Sequence, residues 1–304
     1  MGTRIEALAT AVGGRRLFAP GARRLADTAA RQCLERAGRN ASEVGLLVNT
    51  GLYHDRNMGE PAVASLIQED IGANPGHPPT AHRGTFSFDL YNGACGVLTA
   101  LSLLDALLAS GTIGLGMVVA GDADPAPRHS RGVWFSPAGG AVLVHRDHTD
   151  GGLGPVHLDT FPEHAGLLRS SVRWETRTAA GDGHGHGRNV LTIDRDPAFA
   201  EQALECAERS VRAWAEGEGT ALATVDLLVA AGPDPDFASA LASRLGMESA
   251  AVVGPEGPMA TAHTAAMIGA LEAASLHGWL PASRKALLVS AAAGVTVASA
   301  LYRA

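Results

Sequence analysis

The sequence predicts an α/β protein made of two pseudo-symmetric halves that pack as a layered sandwich. Three observations support this prediction. Short apolar strands alternate with helices, the same order of elements occurs twice, and in each half one long apolar helix follows a turn of small residues. Alternating strands and helices of this length are typical of largely parallel sheets that are covered by helices.

The repeated order divides the chain into an amino-terminal half, 1–150, and a carboxyl-terminal half, 151–304. The first half contains predicted strands over 44–50, 85–90 and 116–120, with helices over 62–71 and 97–110. The second pass begins at about Val225, with strands over 226–231, 250–253 and 286–290 and helices over 237–246 and 264–277. In this alignment His263 corresponds to Cys95, because each lies just ahead of the long apolar helix of its half.

The segment 151–198 between the two passes is rich in Gly, Arg and His, and we predict a variable, loop-rich bridge. Within it, 181–187 reads Gly-Asp-Gly-His-Gly-His-Gly, which is typical of an exposed, mobile loop. Its two histidines lack cysteine or carboxylate partners at a fixed spacing, so we predict no metal site.

Composition excludes several classes of function. The formal charge of the 304 residues is −7 and no lysine/arginine tract occurs, so a nucleic-acid partner has no electrostatic support. Three cysteines give no disulfide framework and fit a reducing compartment. No signal-peptide pattern and no apolar stretch of bilayer-spanning length occur, so we expect a cytoplasmic protein that does not enter a membrane.

Cys95 is the strongest candidate for a reactive residue. It lies where a predicted strand gives way to a long helix, with small residues on both sides, so that backbone and substrate can approach each other closely. Free N–H groups and the positive end of the helix dipole favour the thiolate, which is the nucleophilic form of cysteine. The alternative is a small buried hydrophobe, because free cysteine is one of the most buried residue types.

Three motifs resemble those of the β-ketoacyl-ACP synthase III branch of the thiolase fold. Residues 88–96 resemble the family's nucleophile motif, 134–143 its glycine-rich strand, and 290–299 its closing glycine-rich loop. The resemblance implies a thiolase-like αβαβα sandwich, a homodimer and no bound cofactor. It also implies that the substrate is acyl-CoA or a phosphopantetheinyl acyl carrier protein, and that N–H groups of Cys95 and of Ala292, Ala293 and Gly294 form an oxyanion hole.

The sequence departs from this family at two positions. Ala231 stands where the family has a histidine, and His263 stands where it has an asparagine. Those two family residues together hold a thioester carbonyl during decarboxylation, so their change favours acyl transfer over decarboxylative condensation. We predict that His263 orients a thioester, accepts the Cys95 proton or activates a hydroxyl or amine acceptor. The alternative is that it only caps its helix or fills a polar pocket.

Glu60 is the third candidate. It resembles an acidic position at which relatives with non-decarboxylative Claisen chemistry have a base, which sometimes comes from the partner subunit. Glu60-Pro61 also fits an ordinary helix start. The loop after the first strand is short, with Arg15 and Arg16 as candidate phosphate contacts, so we favour a carrier-protein donor over free acyl-CoA. Arg128 and Arg131 are candidate members of a docking patch.

Together these residues predict an acyltransferase of the synthase III type, in fatty-acid-like or polyketide secondary metabolism. Cys95 takes an acyl group from a thioester, and His263 helps to pass it to a small-molecule or carrier-bound acceptor. Two alternatives stay open: a condensing enzyme that uses Glu60 as base, and a catalytically weak partner subunit of a thiolase-fold heteromer.

Overall fold

The computed structural model describes residues 2–13, 20–73, 84–127, 129–147, 151–177, 186–247, 250–282 and 285–304. The first half contains five strands and three helices within the described residues. They are β1 Gly2–Val12, α1 Ala22–Ala37, β2 Leu46–Asn49, α2 Val63–Ile71, β3 Phe86–Asp89, α3 Gly96–Ala109, β4 Leu115–Asp122 and β5 Ala138–Asp147.

The second half has the same core elements, preceded by four further strands and a long helix. The preceding elements are β6 Gly152–Leu153, β7 His157–Thr160, β8 Leu168–Arg177, β9 His186–Arg195 and α4 Phe199–Gly217. The core elements are β10 Leu227–Ala231, α5 Phe237–Leu245, β11 Ala251–Val253, α6 Ala266–Leu276, α7 Trp279–Ala282, β12 Ala286–Ala292 and β13 Thr296–Arg303.

Strand pairing confirms the predicted internal repeat. In the first half the order is β5-β4-β2-β3, and in the second it is β13-β12-β10-β11. In each half the first pair is antiparallel and the other two pairs are parallel. β1 and β6 join the two halves into one continuous sheet, with β3 and β11 at its two edges. The helices that follow the equivalent strands β2 and β10 both end at a glycine in the left-handed conformation, Gly72 and Gly246.

Burial defines five layers. Helices α1 and α2 pack on one face of the first half's strands, and α4 and α5 pack on the corresponding face of the second half's strands. Helices α3 and α6 form the middle layer and contact strands of both halves. Their sequences are apolar nearly all round, which is expected of helices that are buried between the strands of the first half and those of the second. The αβαβα sandwich predicted from the sequence is therefore confirmed.

The bridge 151–198 differs from its prediction. Within its described part it is largely strand, because it contributes β6 and β7 to the edge of β13 and forms the antiparallel hairpin β8–β9. Glycine content suggested loops, but the alternating pattern of 186–195 pairs residue by residue with 168–177. The predicted mobile segment 181–187 lies mostly outside the described residues.

No helix among the described residues is long and apolar enough to span a bilayer. Within the same residues, no group of three or more His, Cys, Asp and Glu side chains is placed to hold a metal ion.

Candidate active site

A narrow pocket lies where α3 and α6 begin, at the carboxyl ends of the central strands. Ligands in α/β sheets commonly bind at this end of the strands. The pocket is lined by Ala94, His263, Trp134 and the end of β12 at 291–293, together with Gly232 and Pro233 after β10. Its free volume is about 20 Å³, which is enough for about one water molecule and not for an acyl chain. A substrate therefore requires that the pocket open.

His263 is the polar side chain at the centre of this pocket. Its side chain is 14% exposed, and its ring is enclosed by three aromatic rings. The centroid distances are 5.3 Å to Tyr53, 5.6 Å to Trp134 and 5.8 Å to Phe135. These contacts fix the plane of the imidazole, which is a requirement for a group that transfers protons.

Asp122, the last residue of β4, lies behind His263. Its Oδ2 is 3.4 Å from His263 Nδ1, but the two groups are not aligned as a hydrogen bond. The carboxylate already accepts N–H groups of Leu52, Tyr53 and Thr264 and the hydroxyl of Thr264. Asp122 therefore acts on His263 mainly through its charge, and it holds together three segments of the site.

The pKa of Asp122 lies well below its usual range. Burial alone would raise it, but the close contact with His263, followed by the hydrogen bonds from Thr264 and Tyr53, lowers it. The carboxylate is therefore ionised at neutral pH. A fixed negative charge next to an imidazole stabilises the protonated ring that forms when histidine acts as a base.

The position of Cys95 contradicts the role predicted for its side chain. Cys95 has no exposed surface, and it does not line the pocket that contains His263. Its sulfur is 3.3 Å from the carbonyl oxygens of Ser290 and Thr296 in β12 and β13, so the thiol is directed into the core. The sequence pattern located the strand-to-helix joint correctly but did not show which of its residues faces the pocket.

The chemistry of this position also opposes thiolate formation. Burial raises the pKa of Cys95 to about 12, although hydrogen bonds from the surrounding backbone and Ser290 lower it somewhat. The expected effect of the helix dipole is therefore outweighed by desolvation. In this arrangement Cys95 is a neutral thiol at physiological pH.

Ala94, not Cys95, presents its side chain to the pocket. The residues 93–95 form a turn of 3-10 helix just before α3, and consecutive residues of such a turn point in different directions. The carbonyl of Ala94 accepts a hydrogen bond of 2.7 Å from Ser290 Oγ, which ties this turn to β12. The pocket-facing position of the turn thus carries a methyl group.

The predicted oxyanion hole is only partly available. The N–H of Cys95 donates to the carbonyl of Asn92 at 3.0 Å, inside its own turn, and this part of the prediction is wrong. Ala292 is buried and pairs with Thr296 in the sheet. Ala293 is exposed, lines the pocket and lies between β12 and β13, and its role as a donor to an oxyanion stays a prediction. Gly294 follows it with a φ of 126°.

Glu60 is not brought to this site within a single chain. It is exposed, beside the cis bond to Pro61, and it does not line the pocket. A role across a subunit interface stays a prediction. Arg131 is exposed on the loop that pairs with β9, whereas Arg15, Arg16 and Arg128 lie outside the described residues.

Several residues of the site escaped the sequence prediction. Tyr53 and Phe135 form an apolar cluster with Leu191 and Ile193, through which hairpin β8–β9 covers the site. Arg195 lies over Trp134 at 5.8 Å and pairs with Asp234. A polar residue at the carboxyl end of an otherwise apolar strand was a usable signal for Asp122; the aromatic cluster is assembled from distant segments and had none.

The two helix starts are also not in the same register. Cys95 immediately precedes α3, whereas His263 lies three residues before α6. The predicted equivalence of the two residues is therefore approximate. Ala231, at the position of the family's histidine, is the buried last residue of β10, and the pocket wall there is formed by the following Gly232 and Pro233.

No protein-family model matches the sequence. The curated relatives are β-ketoacyl-[acyl-carrier-protein] synthases III. The one from Pectobacterium atrosepticum is 27% identical over 303 residues, which cover 97% of this chain and 88% of the relative. The one from Enterococcus faecalis is 33% identical over 91 residues, but this match covers only 30% of the chain and 25% of the relative.

Solved structures agree over the full length. A 3-oxoacyl-(acyl-carrier-protein) synthase III superposes with a TM-score of 0.75 at 17% identity, covering 100% of both chains. A variant of Xanthomonas campestris OleA superposes with a TM-score of 0.76 at 16% identity, covering 100% of this chain and 98% of the other. The protein therefore has the thiolase fold. Within that fold, the chain is similar over most of its length to the β-ketoacyl-ACP synthases III, as a divergent sequence.

Proposed function

We propose that the protein is an acyltransferase of the ketosynthase III type in which His263 activates the acceptor directly. One observation carries this proposal. His263 and Ala94 line the same pocket, whereas the thiol of Cys95 is directed into the core. A pocket with a general base and no nucleophilic side chain supports attack by the acceptor itself on the thioester. The family relationship supports an acyl thioester as the donor.

The reaction balances without a covalent enzyme intermediate. The acceptor's O–H or N–H proton passes to His263 while the acceptor's oxygen or nitrogen attacks the thioester carbonyl. The C–S bond then breaks, and the departing thiolate takes the proton from His263. Asp122 stabilises the imidazolium that exists between these steps, and the Ala293 N–H is the proposed donor to the oxyanion.

The donor is proposed to be an acyl-CoA or an acyl carrier protein, and the acceptor a small molecule or a carrier-bound group. The proposed role in fatty-acid-like or polyketide metabolism is supported only by the similarity to β-ketoacyl-ACP synthases III. We also propose a homodimer, paired along β3. That strand is an unpaired edge of the sheet, and the Phe86 side chain on it is 66% exposed.

The test is a turnover assay of the full-length protein with a panel of acyl-CoA and acyl-carrier-protein donors. Water, ethanol and ethanolamine serve as acceptors, free thiol is measured, and the intact protein mass is recorded in parallel. We expect thiol release with no lasting adduct. His263→Ala should lower the rate about 100-fold or more because it removes the general base. His277→Ala is the matched control, since that exposed histidine pairs with Glu256 away from the pocket.

The outcomes separate the three candidate functions. A mass gain of one acyl group that is absent in Cys95→Ala means that the pocket rearranges and that Cys95 is the nucleophile. The next experiment is then an assay of condensation with a Glu60→Ala variant. Turnover that is unaffected by His263→Ala contradicts the proposed base.

A catalytically weak partner subunit is the second candidate, and the methyl group at Ala94 favours it, because a subunit that binds acyl groups without reacting needs no nucleophile there. The absence of both turnover and an adduct with every donor, in a well-folded protein, supports this candidate. Size-exclusion chromatography with light scattering then shows whether the chain alone is a homodimer or lacks its partner.

A further inference from the structure

A second concave site lies on the outer surface of the first half, away from the pocket of His263. The cleft runs between the first turns of α1, the loop 55–58 and the end of α2, and its volume is about 680 Å³. Four arginines line it: Arg23, Arg24, Arg31 and Arg56. Three aspartates, Asp27, Asp55 and Asp70, also line it, so the arginines are in excess by one on a chain whose formal net charge is −7.

The arginines are only partly neutralised. Arg23 pairs with Asp70 at 2.7 Å, and Arg31 donates to the Asp70 carbonyl. Asp55 also lies in the cleft, but its carboxylate accepts N–H groups at the start of α1. Arg24 and Arg56 are exposed, and neither makes a salt bridge to a described residue. Their guanidinium groups are therefore available to an anion.

Asp27 lies at the base of the cleft and is 6% exposed. Its Oδ1 is buried and has no hydrogen-bond partner among the described residues. An unsatisfied buried polar atom is costly, so a partner from outside the protein is expected. Burial, and then the hydrogen bond and charge of Asp70, raise the pKa of Asp27 to about 7, against the opposing charges of Arg31 and Arg23. A protonated Asp27 donates to Asp70 or, when a ligand occupies the cleft, to that ligand.

The backbone of the loop supports a binding role. Arg56 and Asn57 both have positive φ angles, 57° and 54°. Arginine seldom adopts this conformation, and such residues cluster at ligand sites. Here the conformation places Arg56 at the rim of the cleft opposite α1.

We propose that this cleft binds the phosphate group of a small molecule, with Arg24 and Arg56 as the principal ligands and Asp27 as a donor from below. Guanidinium groups bind phosphate oxygens in a two-pronged geometry, which gives both charge and direction. A concave cleft with a buried polar base fits a compact tetrahedral group. An acidic protein surface, by contrast, would meet the exposed arginines and leave Asp27 Oδ1 without a partner.

The test is isothermal titration calorimetry of the full-length protein with inorganic pyrophosphate and, separately, with coenzyme A. We expect saturable one-to-one binding of pyrophosphate. The double variant Arg24→Ala/Arg56→Ala should weaken it about tenfold or more, because two charge-assisted contacts are lost. The double variant Arg24→Lys/Arg56→Lys should have an intermediate affinity, because lysine keeps the positive charge but lacks the two-pronged geometry of the guanidinium group. The two ligands distinguish a site for free phosphates from one for the phosphates of a coenzyme.

Arg212→Ala is the matched control, because Arg212 is an exposed, paired arginine of α4 outside the cleft. An equal loss of pyrophosphate affinity in this control and in the double variant would mean that the attraction is diffuse and electrostatic, and this result overturns the proposal. So does the absence of saturable binding by either probe. If an acyl carrier protein binds through Arg24 and Arg56 while pyrophosphate does not, the cleft is a protein-docking surface and the proposal is wrong. None of these readouts depends on turnover at His263.

Discussion

The starts of α3 and α6 occupy equivalent places in the two halves, yet only one of them presents a polar side chain to the pocket. At α6, His263 faces the pocket within a cage of aromatic rings and beside a buried carboxylate. At α3, the polar side chain of Cys95 is turned into the core, and the methyl group of Ala94 faces the pocket. The same topological position therefore brings an imidazole to the pocket in one half and packs a thiol into the core in the other.

A one-residue change of position therefore decides the chemistry of a helix start. Consecutive residues of a tight turn point in different directions, so the residue beside a reactive position is often a core residue. The cost of desolvation then enforces the difference, because burial raises the pKa of Cys95 to about 12. A substitution at either helix start, or at the carboxylate that supports one of them, tests the comparison.

Asp122→Asn should reduce stability most, because it replaces the buried carboxylate beside His263. The amide keeps one acceptor oxygen but presents N–H groups toward the N–H and hydroxyl groups that now donate to the carboxylate. We expect the free energy of unfolding to fall by about 3 kcal/mol or more in urea denaturation. Asp124→Asn is the control, because its carboxylate makes a local hydrogen bond to the N–H of Ala126, and it should cost under about 1 kcal/mol.

Ala94→Cys should make the two helix starts functionally alike. The new sulfur would lie in the pocket with His263, where the free volume of about 20 Å³ has room for about one heavy atom. We expect Ala94→Cys/Cys95→Ala to gain the mass of one acyl group on incubation with an acyl-CoA, and Cys95→Ala alone to gain none.

Adding His263→Ala to the Ala94→Cys/Cys95→Ala protein should slow this acylation, because the thiol would lose its base. Acylation of Cys95→Ala itself would show that another residue reacts. If Ala94→Cys/Cys95→Ala stays unmodified although it folds normally, Ala94 does not mark the place of a nucleophile.

The order and type of the core elements were predictable, because they follow from the repeat. Periods of apolar residues located β2, β4, β10, β12 and their helices within a few residues of their bounds. Hairpin β8–β9 was missed, because its pairing depends on a non-local register that composition does not reveal.

The site was predictable only at the level of segments. The sequence indicated the turns before α3 and α6 as the reactive region, and both turns are at the pocket. It did not indicate which residue of 93–95 faces the pocket, because consecutive residues of a 3-10 turn point about 120° apart and the orientation of this turn is set by its contact with β12. Tyr53, Trp134 and Phe135 meet around His263 only through long-range packing.

A smaller effect is expected at Cys95 itself. Iodoacetamide should leave Cys95 unmodified in the native protein, because the thiol is buried and protonated, and should modify it after unfolding in urea. Peptide mass spectrometry reports this. Cys95→Ala should destabilise the protein by about 1–2 kcal/mol, through a small cavity, and leave turnover within about twofold. Rapid native labelling of Cys95, with Cys33 and Cys206 protected, would mean that the α3 start opens and would remove the contrast with α6.

The last expected effect is a dependence of stability on pH, and it comes from a difference between two buried carboxyl groups of the first half. Asp122 accepts four hydrogen bonds and its pKa is lowered, whereas the pKa of Asp27 is raised to about 7, first by burial and then by Asp70. A carboxyl group with a raised folded-state pKa favours the folded state below its unfolded pKa, and this contribution is lost as the pH rises through the folded value. Asp27 therefore lowers stability progressively from about pH 4 to about pH 7, while Asp122 stays ionised throughout that range.

Asp27→Asn should remove this dependence. Between about pH 5 and 8, the wild-type free energy of unfolding should fall relative to that of the variant by about 1–3 kcal/mol, measured by urea denaturation at several pH values. If the difference in the free energy of unfolding between the wild type and Asp27→Asn stays constant across this range, Asp27 is ionised in the folded protein throughout. In that case the base of the arginine cleft would be an acceptor and not a donor, and a phosphate would have to bind through the guanidinium groups alone.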